Sequence, residues 1–226
     1  MLDHLIVLSG AGISAESGLA TFRDADGLWE RHSIDDVATP QAFARNPERV
    51  LNFYNARREQ LHRAEPNAGH RALADLERHF RVTIITQNID DLHERAGSSR
   101  VLHLHGELTK ARSVADPERL YPIGYEAIAL GDLGDDGTQL RPHVVWFGEL
   151  VPLIDEAAAL MPTADRVLVV GTSLQVYPAA GLVDLVTPGV PVTVIDPSAP
   201  THIGGAEILR EPASIGVPLW VKRLVC

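Results

Sequence analysis

The chain has 226 residues, enough for one large α/β core with a small inserted module and no second independent domain. Hydrophobic content of 45% and charged content of 22% are ordinary for a soluble globular protein, and a formal charge of −10 argues against nonspecific nucleic-acid binding while favouring basic peptide partners. No apolar run approaches the ~20 residues of a membrane span, and the amino terminus runs into a strand without the pattern of a signal peptide, so a cytoplasmic protein with no membrane partner is expected.

Short apolar runs alternate with helical segments and predict strands near 4–9, 82–86, 101–105, 143–147, 166–170 and 191–195. That alternation implies an α/β, Rossmann-like fold, a mainly parallel sheet with helices on both faces. Two stretches interrupt it. Residues 31–66 read as helices, including Pro47 to His62, and 111–140 is rich in Gly, Asp and Pro with scattered Leu, Ile and Tyr. The one cysteine, Cys226, excludes an intramolecular disulfide.

The first strand runs into Gly10-Ala11-Gly12-Ile13-Ser14 and on through Glu16 to Gly18. Gly10, Gly12 and Ala15 fit the loose G-x-G-x-x-A spacing, which permits a tight turn and lets amides at the start of a helix face a pyrophosphate. A strand-to-helix turn with no ligand fits the same run. Hydride-transfer Rossmann units place an acidic residue at the end of a second strand ~20 positions on. Residues 19–36 contain no apolar strand run, so a dinucleotide is expected to be held in another way.

The 82–86 strand leads into Thr86-Gln87-Asn88-Ile89-Asp90, and the 101–105 strand ends at His103-Leu104-His105. Polar groups at carboxyl ends of strands are where open α/β sheets bind ligands; a helix-capping turn uses the same residue types. His103 and His105 stand two apart and are expected on one strand face, as hydrogen-bonded structural residues, as a catalytic base or as two metal ligands lacking a third. Tyr54 and Arg57, three apart, share a helix face and together can hold a carboxylate, the arginine as a bidentate fork and the tyrosine as a further donor. A core tyrosine beside a solvated arginine is the alternative.

The runs GAGISAESG (10–18), TFR (21–23), DGLW (26–29), TQNID (86–90), HLHGEL (103–108), LRPHVVWFGE (140–149), VVGTSLQVYPAAG (169–181) and EPAS (211–214) follow one another over almost the whole chain. On these runs the sequence resembles the sirtuin family of NAD-dependent protein-lysine deacylases. The resemblance implies one catalytic domain over 1–226, with 31–66 and 111–140 as insertions that form the small domain. It also implies NAD as cofactor, acyl-lysine proteins or peptides as partners, and nicotinamide, O-acyl-ADP-ribose and free lysine as products.

Under that resemblance His105 is the general base, acting through the ribose hydroxyls, work suited to an imidazole titrating near neutrality. His103 stays structural. Asn88 would orient the ribose and a water, Gln87 would bond the ribose, and Asp90 would bind the nicotinamide carboxamide. Further cofactor contacts implied are Gly10, Ala11, Gly12, Ile13, Ser14, Glu16, Phe22, Arg23, Trp29, Ile89, Gly171, Thr172, Ser173, Pro197, Ser198 and Ala213. Asp196 falls at the adenine ribose, where a carboxylate would repel a 2′-phosphate and favour NAD over NADP. Ser198 and Ala213 equally suit a loop and a helix start.

Peptide is expected between 145–149 and 174–178, held by main-chain hydrogen bonds, with Val145, Phe147, Gly148, Glu149 and Val176 at the groove; a core strand plus loop is the alternative. Tyr54 and Arg57 resemble the branch that removes succinyl and malonyl groups, in which Ala25 would leave room for a longer acyl chain. Most sirtuins carry two cysteine pairs in the second insertion that bind zinc, and residues 111–140 have none. Asp116, Glu118, Asp132, Asp135 and Asp136 cannot replace thiolates. No metal is expected, and Leu120, Tyr121, Ile123, Tyr125, Ile128 and Leu130 are expected to hold the module by packing. A sirtuin-like ADP-ribosyltransferase and a noncatalytic NAD-binding sensor are the competing classes; Asn88, Asp90 and His105 disfavour the sensor.

Overall fold

A computed structural model describes residues 2–19, 32–199 and 204–225, so Phe22, Arg23, Ala25, Trp29 and Cys226 lie outside the described residues. Strand β1 (His4–Ser9) leads into two 3-10 turns, Ala11–Ile13 and Ala15–Ser17, in place of the helix expected there. Helices α1 (Ile34–Val37), α2 (Pro40–Arg45), α3 (Pro47–Arg63) and α4 (Ala68–Asp75) precede β2 (Arg81–Thr86). Next come α5 (Leu92–Ala96), β3 (Val101–His103), β4 (Gly106–Ser113), β5 (Leu120–Pro122) and β6 (Leu140–Val144). Helix α6 (Ile154–Leu160), β7 (Arg166–Val170), β8 (Val192–Ile195), β9 (Glu207–Leu209) and α7 (Ala213–Val225) follow.

Six parallel strands pair in the order β3-β2-β1-β7-β8-β9. This is the doubly wound order, in which two halves diverge from the central pair. Side chains alternate across the sheet. Leu5 and Val7 pack with Leu73 of α4 and with Val217 and Trp220 of α7, whereas Ile6 and Leu8 pack with Ala157 of α6 and Met161. Because both faces are covered, these strands read as unbroken apolar runs. The edge strand β9 was not expected, since three residues are too few to show a period. No described helix is long and apolar enough to cross a membrane.

Strands β5, β4 and β6 form a separate antiparallel sheet, which corrects the expectation of a parallel-sheet strand at 143–147. The chain leaves the main sheet at Gly106, whose φ is +79°, and a Cβ there would sit 2.2 Å from the His143 carbonyl oxygen. Only glycine fits that turn. Since β3 ends at His103 and β4 begins at Gly106, His103 and His105 do not share a strand face either.

Helix α3 starts at Asn46, whose side-chain oxygen accepts the Arg49 N–H at 3.0 Å, with Pro47 in the first turn. Its buried face, Val50, Leu51, Phe53, Tyr54, Arg57, Arg58 and Leu61, follows helical spacing. Arg58 Nε donates to the Leu108 carbonyl at 2.7 Å, and Asn55 brackets Ile128 with one bond to its carbonyl and one from its N–H, both 2.9 Å. Those bonds tie α3 to the small sheet.

Packing holds 111–140 only in part. Ile128 is buried, with Tyr121 and Ile123 beside it, and Tyr125 packs on the α3 core, but Leu120 and Leu130 are 42% and 59% exposed. Polar staples replace them. The buried Ser113 hydroxyl donates to Asp136 at 2.5 Å and accepts from the amides of Ala115 and Asp116, while Asp135 accepts from Arg119 and Tyr121. A stretch so poor in large apolar side chains reaches order through side-chain-to-backbone bonds of this kind.

At the centre of the main sheet, Gly10 N–H donates to Val170 O at 3.1 Å and Gly12 N–H to Gly171 O at 2.8 Å. Gly171 has φ +62°, and a Cβ on it would lie 2.2 Å from the Ile13 nitrogen. Gly171→Ala is therefore expected to lower the unfolding free energy by about 2 kcal/mol or more, since the left-handed conformation alone costs an L-residue about 1–2 kcal/mol. Urea titration measures this, and a loss under about 0.5 kcal/mol, the range of an indifferent surface change, would contradict it.

Candidate active site

Ser9 lies beside Thr86 and Val170, Thr86 beside His103, and Val170 beside Ile195, so five strands end at one rim. Crevices open at such a rim where the halves diverge, here between β1 and β7. The glycine turn sits in that position but not in the expected manner. The amides of Gly10, Gly12, Ile13 and Ser14 bond to carbonyls of Val170, Gly171, Gly10 and Ala11, so these four are engaged within the protein. Ala11 is half-buried, and Ile13 turns into the core shared with α4 and α7. What the glycines supply is a close backbone surface without side chains.

Ser14 is the branch point beneath this surface. It accepts from Asn88 Nδ2 at 3.1 Å and donates to Asp90 Oδ2 at 2.9 Å, with His70 Nε2 at 3.5 Å. The Asn88 N–H bonds Thr86 Oγ1 at 3.0 Å, and Asp90 Oδ1 accepts the Leu92 N–H at 3.2 Å. Burial pushes the Asp90 carboxyl above its ordinary range, against the pull of those hydrogen bonds. Ser9 Oγ contacts both Thr86 Oγ1 and His93 Nε2 at 2.9 Å, and His93 meets the His70 ring edge-on at 5.0 Å. Burial holds both imidazoles neutral, pulling His70 down to about 4 and His93 well below the usual histidine value.

Sequence reasoning missed Ser9, His70 and His93. The available signal was Asn67-x-x-His70, the capping box that opens α4 and fixes the His70 ring.

His105 is half-buried, and its Nδ1 lies 2.9 Å from the Gln87 carbonyl. A carbonyl accepts only, so Nδ1 carries the proton and Nε2 keeps its lone pair. Burial lowers its pKa, with the Gln87 bond opposing. His103 is bonded on both sides, Nδ1 to the Asn88 carbonyl at 3.0 Å and Nε2 to Glu94 at 2.7 Å. Burial alone would lower its pKa, but the Glu94 bond and charge outweigh it and raise it.

Gln87 Nε2 donates to Thr172 Oγ1 at 3.1 Å and bridges β2 to β7, and Ser173 beside it is half-buried. The Ile89 carbonyl accepts the Leu108 N–H at 2.8 Å, and its side chain packs on the α3 core. Asp196 accepts the Ser198 N–H at 2.7 Å, with Pro197 exposed between them. Glu16 is drawn to the start of α7, where it accepts from the Ser214 N–H at 3.0 Å and hydroxyl at 2.7 Å, next to Ala213.

On the small-module side Tyr54 and Arg57 are both buried, at 0% and 6% exposure. Trp146 Nε1 donates to the Tyr54 hydroxyl at 3.0 Å. The 145–149 edge differs from expectation: Val145 N–H bonds His105 O, Phe147 N–H bonds Ala38 O, and Trp146 N–H bonds Glu149 Oε2. Its amides are thus engaged within the protein. Glu149 also takes Arg112 and Arg141, so its carboxylate belongs to an ion-pair cluster. Phe147, Gly148 and Tyr177 are exposed and Val176 is half-buried, with Leu174 at φ +52° on the facing segment.

Polar groups buried directly beside a glycine-lined backbone surface, linked to it through Ser14, suit a dinucleotide. Among the described residues no group of three or more His, Cys, Asp or Glu is placed to hold a metal ion. A sulfur-ligated zinc does not fit 111–140, which carries no cysteine.

Residues 10–178 match the model of the Sir2 family. The NAD-dependent protein deacylase of Bacteroides thetaiotaomicron is 53% identical over 224 residues, covering 96% of this chain and 95% of that one. A Helicobacter pylori protein of the same description is 57% identical over 198 residues, covering 88% and 86%. A solved Sir2 homolog–NAD complex superposes with a TM-score of 0.89 at 40% identity, covering 99% of this chain and 90% of the other. A Sir2 homologue mutant bound to ADP-ribose gives a TM-score of 0.90 at 40% identity, covering 99% and 92%. The chain belongs to the Sir2 family, the sirtuins, and is an enzyme of the NAD-dependent protein deacylase type.

Proposed function

We propose that this deacylase removes succinyl and malonyl as well as acetyl groups from lysine side chains of proteins, with Tyr54 and Arg57 receiving the acyl carboxylate. The observation that carries the reading is the burial of Arg57 one helical turn from the buried Tyr54. A guanidinium in that position is not the solvated arginine of the alternative, and its planar fork matches a carboxylate. A solved Sir2 structure, 30% identical with a TM-score of 0.81, holds a deacetylated peptide and acetyl-ADP-ribose and supports acylated peptides as partners in general.

NAD, when bound, supplies the ribose carbon that takes the acyl oxygen and the nicotinamide that leaves. The chain supplies position and proton transfer. Asn88 and Asp90, fixed by Ser14, orient the nicotinamide end, while neutral His105 takes a proton at Nε2 because Nδ1 is held by Gln87.

An NAD-dependent assay on matched acetyl, malonyl and succinyl peptides, with mass detection of O-acyl-ADP-ribose, tests the reading; ADP-ribosylated peptide instead would favour a transferase. Tyr54→Phe removes one hydrogen bond to a charged group, worth about 1.5–3 kcal/mol, and is expected to lower kcat/KM on malonyl and succinyl peptides about 10-fold to 150-fold. Arg57→Met removes the charge partner, worth roughly 2–5 kcal/mol, and should cost about 30-fold to several-thousand-fold. Much of each effect should appear in KM, because the carboxylate lies away from the reacting carbonyl. Equal losses on acetyl peptide would return Arg57 to a structural role.

His105→Ala should lower deacylation about 10²- to 10⁴-fold while NAD binding, followed by calorimetry, stays nearly unchanged. Since burial lowers the His105 pKa below the usual 6.5, the neutral base persists to lower pH and is lost only as pH falls through that lowered value. The acid limb of kcat/KM is expected below pH 6.5, and a limb above it in wild type would contradict the assignment.

With no thiolate in 111–140, the purified protein is expected to hold no stoichiometric zinc and to keep its unfolding temperature in strong chelator. Metal analysis giving one zinc per chain would overturn this.

A further inference from the structure

Trp146 is buried and engaged on three sides. Its backbone N–H donates to Glu149 Oε2 at 2.8 Å, its indole N–H donates to the Tyr54 hydroxyl at 3.0 Å, and the guanidinium carbon of Arg141 lies 3.2 Å from its ring centroid. Arg141 is itself fixed, donating to Glu149 at 2.6 and 3.2 Å and to the Val144 carbonyl at 2.8 Å. Arg112 closes the cluster with two bonds of 3.1 Å to the same carboxylate. The arginines sit on β4 and β6 and the glutamate just beyond β6, so three segments meet at the carboxylate that pins the Trp146 backbone.

An indole N–H can donate and never accept. A phenol bonded to it has therefore taken the acceptor role toward that ring, and its own proton points elsewhere. Burial keeps this phenol neutral, since it pushes the Tyr54 pKa upward. Arg57 follows Tyr54 on the same buried face of α3.

We propose that Trp146, clamped by Arg141 and Glu149, is a specificity-positioning residue that sets the Tyr54 hydroxyl as a donor toward the carboxylate of a malonyl or succinyl group. This rests on the carboxyl-acyl reading of Tyr54 and Arg57 given above. Trp146 does not touch the reacting atoms; it acts through Tyr54.

Trp146→Phe keeps a ring for Arg141 and removes only the donor. In this variant the ratio of desuccinylation to deacetylation, each as kcat/KM, is expected to fall about 10-fold, as loss of one hydrogen bond predicts, with the change carried by KM for the succinyl peptide. In a Tyr54→Phe background the same substitution should leave the ratio unchanged, because the two act through one bond. A fall of equal size on both acyl groups, or an undiminished effect in that background, overturns the proposal. The bond is also read without substrate. Three tryptophans are present, and the indole N–H resonance missing from Trp146→Phe should move upfield in Tyr54→Phe of ¹⁵N-labelled protein; an unmoved resonance overturns the proposal alone. Wild-type protein inactive on malonyl and succinyl peptides overturns the carboxyl-acyl reading and this proposal together, whatever the resonance does.

Discussion

The backbone contact between Gly171 and the Gly10–Gly12 turn is the constraint on which the rest of the molecule depends. The two halves of the sheet diverge at β1 and β7, and any side chain at these positions would drive the divergent loops apart: a Cβ on Gly12 would sit 2.7 Å from the Gly171 Cα, and one on Gly10 2.8 Å from the Gly171 oxygen. Each glycine is entropically unfavourable by roughly 0.5–1 kcal/mol relative to alanine. The bonds from Gly10 to Val170 and from Gly12 to Gly171 offset that loss and make the turn rigid. Rigidity matters more here than free amides. A turn in which the N–H groups of Gly10, Gly12, Ile13 and Ser14 are already bonded offers a fixed wall, and beneath it Ser14 can reach both Asn88 and Asp90.

Two histidines two residues apart, His103 and His105, are pushed in opposite directions by their partners. His103 lies between a carbonyl and a carboxylate, and a ring flanked by two acceptors is drawn toward two protons. His105 meets one acceptor and a buried surround, so it holds one. Spacing set neither outcome; the partners did. The same logic runs through the network behind them, where His70 and His93 are buried neutral and the chain of Ser9, Thr86 and Ser14 hydroxyls satisfies polar atoms that a low-dielectric interior would otherwise penalise.

The parts legible in the sequence are those whose cause is local. Strands β1, β2, β7 and β8 show as apolar runs because helices cover both their faces, and the polar residues of the site follow directly on strand ends, so motif and position coincide. Helix α3 shows in the run from Pro47, which the structure extends to Arg63. Illegible were the features decided by distant partners. Leu140–Val144 joins β4 rather than the main sheet because Gly106 turns the chain there, and nothing between residues 111 and 140 announces that Ser113 will staple it. Periodicity placed Tyr54 and Arg57 on one face, but it could not say whether that face was buried. Ile13, read as a cofactor contact from its place in a motif, has its side chain buried in the core shared with α4 and α7.

The 145–149 edge shows what a buried ion cluster contributes besides cohesion. Replacing such clusters by apolar side chains is often neutral or stabilising, so stability is a weak reason for one to exist. Arg112, Glu149 and Arg141 are nearly buried, at 9%, 19% and 8% side-chain exposure, and Glu149 satisfies its oxygens with both guanidinium groups and the Trp146 amide. Its direct effect is geometric. It pins the residue between Val145 and Phe147, whose own amides bond His105 and Ala38, so one stretch of main chain is referenced at once to the candidate base, to α1 and to the small sheet. Phe147 and Leu150 project outward from it at 43% and 90% exposure. Under the proposed function a peptide lying along this stretch would meet carbonyls on a fixed frame, and main-chain recognition of that sort reads little of the peptide's sequence. Discrimination would then fall to the acyl end, where the same cluster reaches Tyr54 through the indole of Trp146.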